Sequence, residues 1–438
     1  MVAPLRVGIA GLGTVGVEVV RLLERQGRVL TERTGRPVRV VAVTARSKAK
    51  KRGIDLSGIK WAKDALALAS DPDVDCLVEL MGGAGDPALS AIDTALKAGK
   101  SVVTANKALI AKHGLKLAKA AEKHGGALNF EAAVGAAIPV IKTLREGLAG
   151  TDISRVYGIL NGTCNYILTR MEQEGLSFEA CLADAQRLGY AEADPTFDIE
   201  GVDAAHKVTL MSAIAFGMPV QFDRAHVEGI TKLSAIDIKY AEELGYRIKL
   251  LGITRRRDEG VELRVHPTLV PASRLIANVE GAMNAVLVQG DAVGATLYYG
   301  KGAGAEPTAS AVIADLVDVT RLHTADPNHR VPHLAFQPDE LSNVPVLPID
   351  EVTSSYYLRM RVSDETGVLA EITRILAEAG ISIDAMLQKE SREGEPQTDI
   401  IILTHLTREK HVNAAIRSIE ALQTVLSPVT RLRMEELN

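Results

Sequence analysis

The chain has 438 residues, more than one ordinary core accommodates, and at about 150 residues per domain it predicts about three domains. Its 47% hydrophobic and 24% charged residues describe a globular protein, and a net charge of −5 argues against an electrostatic nucleic-acid or membrane binder. Three cysteines (Cys76, Cys164, Cys181) without metal-ligand spacing exclude a disulfide framework, and the longest apolar run, Val208 to Val220, is too short for a bilayer, so a cytoplasmic protein is expected.

Arg6 and the run to Gly13 resemble a signal-peptide start, but glycines interrupt it, Glu18 follows and no small-residue cleavage site appears, so a secretory reading is set aside. Leu5 to Ala10 reads as a buried strand, followed by Gly11-Leu12-Gly13-Thr14-Val15-Gly16 and a helical pattern to about Gln26. Strands at Val38 to Val43, Cys76 to Leu80, Ser101 to Thr104 and Ala127 to Glu131 follow, with helical segments at Pro87 to Ala98 and Leu117 to Lys123. This alternation predicts βαβ units and a Rossmann-type parallel sheet over residues 1–150, within an α/β protein.

Residues 151–325 lose the alternation. A strand at Arg155 to Leu160, helices near 165–173, 178–188 and 201–216, and a glycine-rich Gly300 to Gly304 predict an α+β catalytic and dimerisation domain. Pro327, Pro332, Pro338, Pro345 and Pro348 mark residues 326–350 as a linker or extended surface passage. Residues 351–438 read β, α, β, β, α, β: Tyr356 to Val362, Gly367 to Ala379, Ile381 to Lys389, Asp399 to Leu406, Glu409 to Leu422 and Val425 to Leu432, a ferredoxin-like unit.

The glycine loop follows a strand and opens a helix, the context that makes it a dinucleotide fingerprint. Gly11 permits the tight turn, Gly13 lets backbone approach a pyrophosphate, and Gly16 lets the helix pack on the strand. The phosphates then meet amide N–H groups at a helix N-terminus. No acidic residue ends the second strand; Thr44-Ala45-Arg46 and then Lys48, Lys50, Lys51 and Arg52 suit a ribose 2′-phosphate. NADP(H) is therefore accepted, and if these bases are only a solvated loop, either nicotinamide cofactor serves.

Lys107 stands at the carboxyl end of a strand, where open parallel sheets bind ligands. Asp203 and Lys207, four apart, share one face at the head of an apolar helix, with Glu192 and Asp198 just upstream. Charges entering so apolar a helix need a function. His206 points away from Lys207 and reads as structural, and Cys164 as a small packed residue.

Taken together, Gly11 to Gly16, Thr104 to Lys107, Leu160 to Leu168, Gly189 to Lys207, and Lys301-Gly302-Ala303-Gly304 with Pro307 to Val312 resemble homoserine dehydrogenase over residues 5 to 320. The terminal unit resembles an ACT domain, with Asp364-Glu365-Thr366-Gly367 at its strand-to-helix turn. No kinase-like segment precedes the glycine loop, so the resemblance is to the monofunctional bacterial type. It implies reversible NAD- or NADP-dependent reduction of aspartate 4-semialdehyde to L-homoserine. Lys207 is then the proton donor and Lys107 a second catalytic cation, although which of the two delivers the proton stays open. Glu192 and Asp203 hold the substrate ammonium, supported by Asp198; Gly189 and Gly302 border the nicotinamide end of the cofactor, with Lys107 and Glu192 reaching it too.

The resemblance also implies a sodium ion held by Glu131 and the carbonyls of Val134, Ala136 and Ile138. Further implications are a homodimer or homotetramer, and inhibition by threonine through the unit bearing Asp364 and Gly367. Removing residues after about 350 is expected to abolish that inhibition and leave activity. A non-catalytic nicotinamide and amino-acid sensor, and a related semialdehyde oxidoreductase, are the alternative readings.

Overall fold

The computed structural model describes residues 3–322, 332–336, 341–389 and 396–437; Pro327 and Pro338 of the predicted linker lie outside them. Strands β1 (Leu5–Ala10), β2 (Val38–Thr44), β3 (Lys60–Trp61), β4 (Cys76–Glu79), β5 (Ser101–Thr104) and β6 (Leu128–Asn129) form one parallel sheet in the order β3-β2-β1-β4-β5-β6. Leu5, Val7, Ile9, Leu77, Val78, Val102 and Val103 are fully buried, as strands covered on both faces require. The order reverses between β1 and β4, which opens a crevice at their carboxyl ends, beside Gly11.

The first helix runs Thr14–Thr34, two turns beyond expectation, because Leu30 remains buried and Gly35, in the left-handed region, ends it. Leu117 to Lys123 is only the end of a longer helix, Lys107–His124, whose start is capped by the Asn106 side chain. The Ala305–Leu322 helix, placed by sequence in the middle domain, returns to the first sheet. Its Ala309, Val312, Leu316 and Val319 share a core with Leu5, Val7, Ile9 and Val19.

The middle of the chain is richer in antiparallel sheet than expected, with β7 (Ile153–Ile159), the long hairpin β9 (Tyr246–Arg257) and β10 (Gly260–Pro271), and the hairpin β11 (Met283–Gly290) and β12 (Gly294–Lys301), while the short β8 (His226–Val227) pairs parallel with β10. The terminal unit supplies β13 (Thr353–Ser363), β14 (Ile383–Gln388), β15 (Gln397–Thr404), β16 (Thr407–Arg408) and β17 (Thr430–Met434). Its principal strands take the ferredoxin-like order β17-β13-β15-β14.

That unit is not suspended on a linker. β17 pairs with β10 at Thr268–Arg433 and Leu269–Met434, so the middle and terminal strands make one sheet. The described end of the proline-rich run pairs there too: Val261 donates to the Pro345 carbonyl at 2.8 Å and Leu347 to the Val261 carbonyl at 2.8 Å. Beneath the seam, Arg264 pairs with Glu262 and Glu435, and Arg433 with Glu409 and Glu228, with both guanidinium groups buried. No helix among the described residues is long and apolar enough to cross a membrane.

Candidate active site

The glycine loop has the geometry its spacing demands. Gly11 has φ +105, and a Cβ there would lie 2.6 Å from the Leu80 carbonyl; at Gly16 it would lie 2.0 Å from the Gly11 carbonyl. At Gly13 a Cβ would meet no protein atom within 4 Å, so this position faces open space at the head of the Thr14–Thr34 helix. Gly13 is the N-cap and has no side-chain capping bond, leaving first-turn amides of Thr14 and Val15 available to an anion.

Leu12 is buried, and its carbonyl accepts from Arg52 Nε at 3.1 Å. Arg52 also donates to the carbonyls of Lys50 (2.7 Å) and Ser47 (2.5 Å) and lies 5.6 Å from the Trp61 ring. Arg52 thus folds the basic loop onto the glycine loop, while Arg46 and Lys48 remain exposed beside it.

The lysines meet where the nucleotide sheet faces the Val202–Phe216 helix, which packs between the Lys107–His124 helix and strands β7, β9 and β10. Every residue from Asp203 to Phe216 is buried. Lys107 Nζ lies 2.8 Å from Asp203 Oδ1, and Lys207 Nζ lies 2.8 Å from Asp203 Oδ2. Lys207 also donates to the Leu160 carbonyl at 2.7 Å. Asn161 Nδ2 donates to Asp203 at 2.9 Å and to Asp198 at 2.8 Å, while its oxygen caps the Gly162–Glu174 helix.

Burial alone would push the Asp203 carboxyl up, but Lys207 and Lys107 outweigh it and hold the group well below the usual carboxylate range. Burial, reinforced by Asp203, instead pushes the half-buried Asp198 up against the opposing Asn161 bond. Asp203 therefore spends its oxygens on the two lysines and Asn161.

Glu192 is exposed, and its carboxylate makes no hydrogen bond or ion pair among the described residues; only its carbonyl accepts, from Gln186 at 3.1 Å. Gly189 has φ +78 and lies in the same loop. Gly302 presses on Asn284, where a Cβ would fall 1.9 Å from Nδ2.

His206 sits between the rings of Phe197 (5.6 Å) and Phe222 (4.1 Å). The Cys164 thiol, pushed well up by burial, donates to the Asp198 carbonyl at 3.2 Å. Both are packed residues, as their sequence contexts predict.

Glu79 was not singled out by sequence. It is a buried carboxylate that accepts from Thr104 Oγ1 (2.7 Å) and from the amides of Met81 (2.7 Å) and Gly82 (3.3 Å), tying the ends of β4 and β5 together. A lone charge in the apolar run Cys76-Leu77-Val78-Glu79-Leu80 was the available signal. Asn161 likewise lay within a quoted motif without a role.

Two of the four expected sodium ligands, Glu131 and the Ile138 carbonyl, already accept hydrogen bonds from the protein. The Glu131 oxygens accept from the amides of Ile141 (2.9 Å) and Lys142 (2.8 Å), and the Ile138 carbonyl accepts from Val140 (2.7 Å). Ala136 has φ +47, and Val134 ends the short Glu131–Ala133 turn. No group of three acidic, histidine or cysteine side chains able to hold a metal occurs among the described residues. Glu131 acts as a helix cap here, and no chemical step is routed through a cation.

In the terminal unit Gly367, φ +97, opens the Val368–Glu378 helix, and the exposed Asp364 donates its amide to the Pro396 carbonyl at 2.9 Å.

Residues 11–131 match the family "Homoserine dehydrogenase, NAD binding domain", residues 139–317 match "Homoserine dehydrogenase", and residues 356–423 match "ACT domain". The chain is 53% identical to the homoserine dehydrogenase of Pseudomonas aeruginosa over 99% of its own length and 100% of the relative's. It is also 53% identical to that of Neisseria gonorrhoeae, over 99% of each. It superposes on the solved homoserine dehydrogenase of Thiobacillus denitrificans with a TM-score of 0.94 at 58% identity, covering 99% of each chain. A hyperthermophilic archaeal homoserine dehydrogenase mutant solved in complex with NADPH is 26% identical, with a TM-score of 0.63 over 75% of this chain and 100% of that one. The nucleotide loop, the paired lysines and these relatives agree: the chain belongs to the homoserine dehydrogenase family.

Proposed function

We propose that the chain interconverts L-homoserine and L-aspartate 4-semialdehyde in the cytoplasm with a nicotinamide cofactor. The observation that carries this reading is the single carboxylate, Asp203, holding two ammonium groups at 2.8 Å each at the mouth of the nucleotide crevice.

A bound nicotinamide supplies the hydride in reduction and takes it back in oxidation. Lys207 has three N–H donors, two of them spent on Leu160 and Asp203, so the third is available to the substrate's carbonyl or hydroxyl oxygen. In reduction that proton passes to the oxygen as hydride reaches the carbon; in oxidation Lys207 takes it back. Lys107, a third exposed, stabilises charge on the same oxygen and exchanges its proton with solvent. Asp203 keeps both lysines oriented, and Asn161 orients Asp203. Asp198 and Glu192 receive the substrate ammonium.

Arg46 and Lys48, exposed on the basic loop that Arg52 ties to the Leu12 carbonyl, favour the 2′-phosphate of NADP(H). Amino-acid inhibition by threonine and assembly as a homodimer or homotetramer belong to the same proposal. The test is oxidation of L-homoserine followed by nicotinamide absorbance, with NAD+ and NADP+ in parallel, with and without L-threonine. Turnover is expected with NADP+; binding of cofactor without turnover on either would reject the enzymatic reading.

A further inference from the structure

Lys107 opens a helix at the rim of the crevice, and its ammonium is only as well placed as the segment that carries it. Glu79 holds that segment from beneath. One Glu79 oxygen accepts from Thr104 Oγ1 at 2.7 Å, and Thr104 Oγ1 in turn accepts from the Asn106 amide at 3.0 Å. Asn106 Oδ1 then caps the helix, accepting from the Leu109 amide at 3.2 Å, and Lys107 is the first residue of that helix.

The same carboxylate also reaches toward the cofactor side. Its second oxygen accepts from the amides of Met81 at 2.7 Å and Gly82 at 3.3 Å. Asn106 Nδ2 closes the circuit by donating to the Gly83 carbonyl at 2.7 Å. Gly82 and Gly83 have φ +77 and +86, and a Cβ on either would meet no protein atom within 4 Å. The outer face of this loop is therefore bare backbone, as at Gly13, and no side chain of these two residues braces it. The loop also walls the nucleotide crevice, since the preceding Leu80 carbonyl lies against Gly11.

Glu79 is fully buried and makes no ion pair among the described residues. A buried charge without a cation is costly unless its hydrogen bonds compensate it. Glutamine would fill the same space without the charge. Its amide nitrogen, however, would face either the Met81 and Gly82 amides, donor against donor, or Thr104, whose hydroxyl would lose its acceptor. Only a carboxylate accepts on both sides.

We propose that Glu79 is a positioning residue: through Thr104 and Asn106 it fixes Lys107 relative to the Met81–Gly83 loop, so that the cofactor wall and the catalytic ammonium stay in one register. The inference rests on the reading of Lys107 as a catalytic cation and adds the group that aims it.

Homoserine oxidation is measured for wild type, Glu79→Gln, Lys107→Ala and the double variant. NADP+ binding by fluorescence and the melting temperature of the unliganded protein are read on the same samples. Glu79→Gln is expected to weaken NADP+ binding and to lower kcat by roughly 10–10²-fold, the scale of a misplaced group. In the Lys107→Ala background the same substitution should lower kcat further by less than about twofold, because the group it aims is gone. Thr104 supplies a second pair of variants should Glu79→Gln fail to fold. Thr104→Ser keeps the hydroxyl and Thr104→Val keeps the shape, so the serine variant is expected to have the higher kcat. Packing and strand propensity alone rank the two in the reverse order.

Wild-type kcat in Glu79→Gln, with or without a lower melting temperature, overturns the proposal. So do losses that multiply in the double variant, or a Thr104→Val protein faster than Thr104→Ser. Wild-type turnover by Lys107→Ala instead overturns the catalytic reading beneath it, which keeps the two failures apart.

Discussion

Replacing Asp203 by asparagine keeps the shape of the side chain and removes the one negative charge between Lys107 and Lys207. Two ion-paired contacts at 2.8 Å disappear, and an amide nitrogen must then face either a lysine or Asn161 Nδ2, donor against donor. Lys207 is buried and keeps only the Leu160 carbonyl. Breaking a buried pair by removing one partner costs about 3–5 kcal/mol, so the urea midpoint should fall measurably. Loss of an oriented proton donor should lower kcat by roughly 10²–10⁴-fold. Circular dichroism against urea reads the stability, and steady-state kinetics reads the rate. An Asp203→Asn protein with wild-type midpoint and wild-type kcat would refute the reasoning.

Gly13→Ala should fold normally, since its Cβ meets no protein atom, yet raise the cofactor KM by about tenfold or more; Gly16→Ala, whose Cβ would fall 2.0 Å from the Gly11 carbonyl, should not fold. The Asp315 carboxyl, buried beside Glu131 and only partly compensated by Lys142, is pushed up from 3.8 to about 7. The folded protein therefore keeps a proton that the unfolded chain releases, and the stability this group contributes is complete below its unfolded value and lost as pH rises through about 7. At about 1.4 kcal/mol per unit the full effect is roughly 4 kcal/mol, and Asp315→Asn should flatten the slope of urea midpoint against pH between 4 and 7. Truncation after residue 350 should give an insoluble or inactive protein, because it strips β17 from β10 and leaves Arg264 and Glu262 without Glu435; a soluble truncated chain with full turnover would contradict that.

The truncation reverses what the sequence suggested, and the reason is physical. Periodicity reports which face of an element is buried, not which distant strand it pairs with. The ferredoxin-like pattern after residue 351 was legible, but its last strand's pairing with β10 depends on residues more than 160 positions apart. The Ala305–Leu322 helix shows the same limit: its apolar stripe was readable, its return to the first sheet was not. Local chemistry fared better. The glycine loop, Lys107 and Lys207 were visible because each places an unusual residue type at a strand end or in an apolar helix. Asp203 was found, but only geometry shows that it holds both lysines and Asn161 at once. The amides of Ile141 and Lys142 that engage Glu131 were not legible either.

The central claim is that the lysine pair performs proton transfer in homoserine oxidation. The most direct test compares wild type with Lys207→Ala, measuring kcat with NADP+ alongside NADP+ binding by fluorescence. The account predicts a kcat loss of roughly 10²–10⁴-fold with cofactor affinity retained. A variant that turns over L-homoserine near the wild-type rate would contradict it.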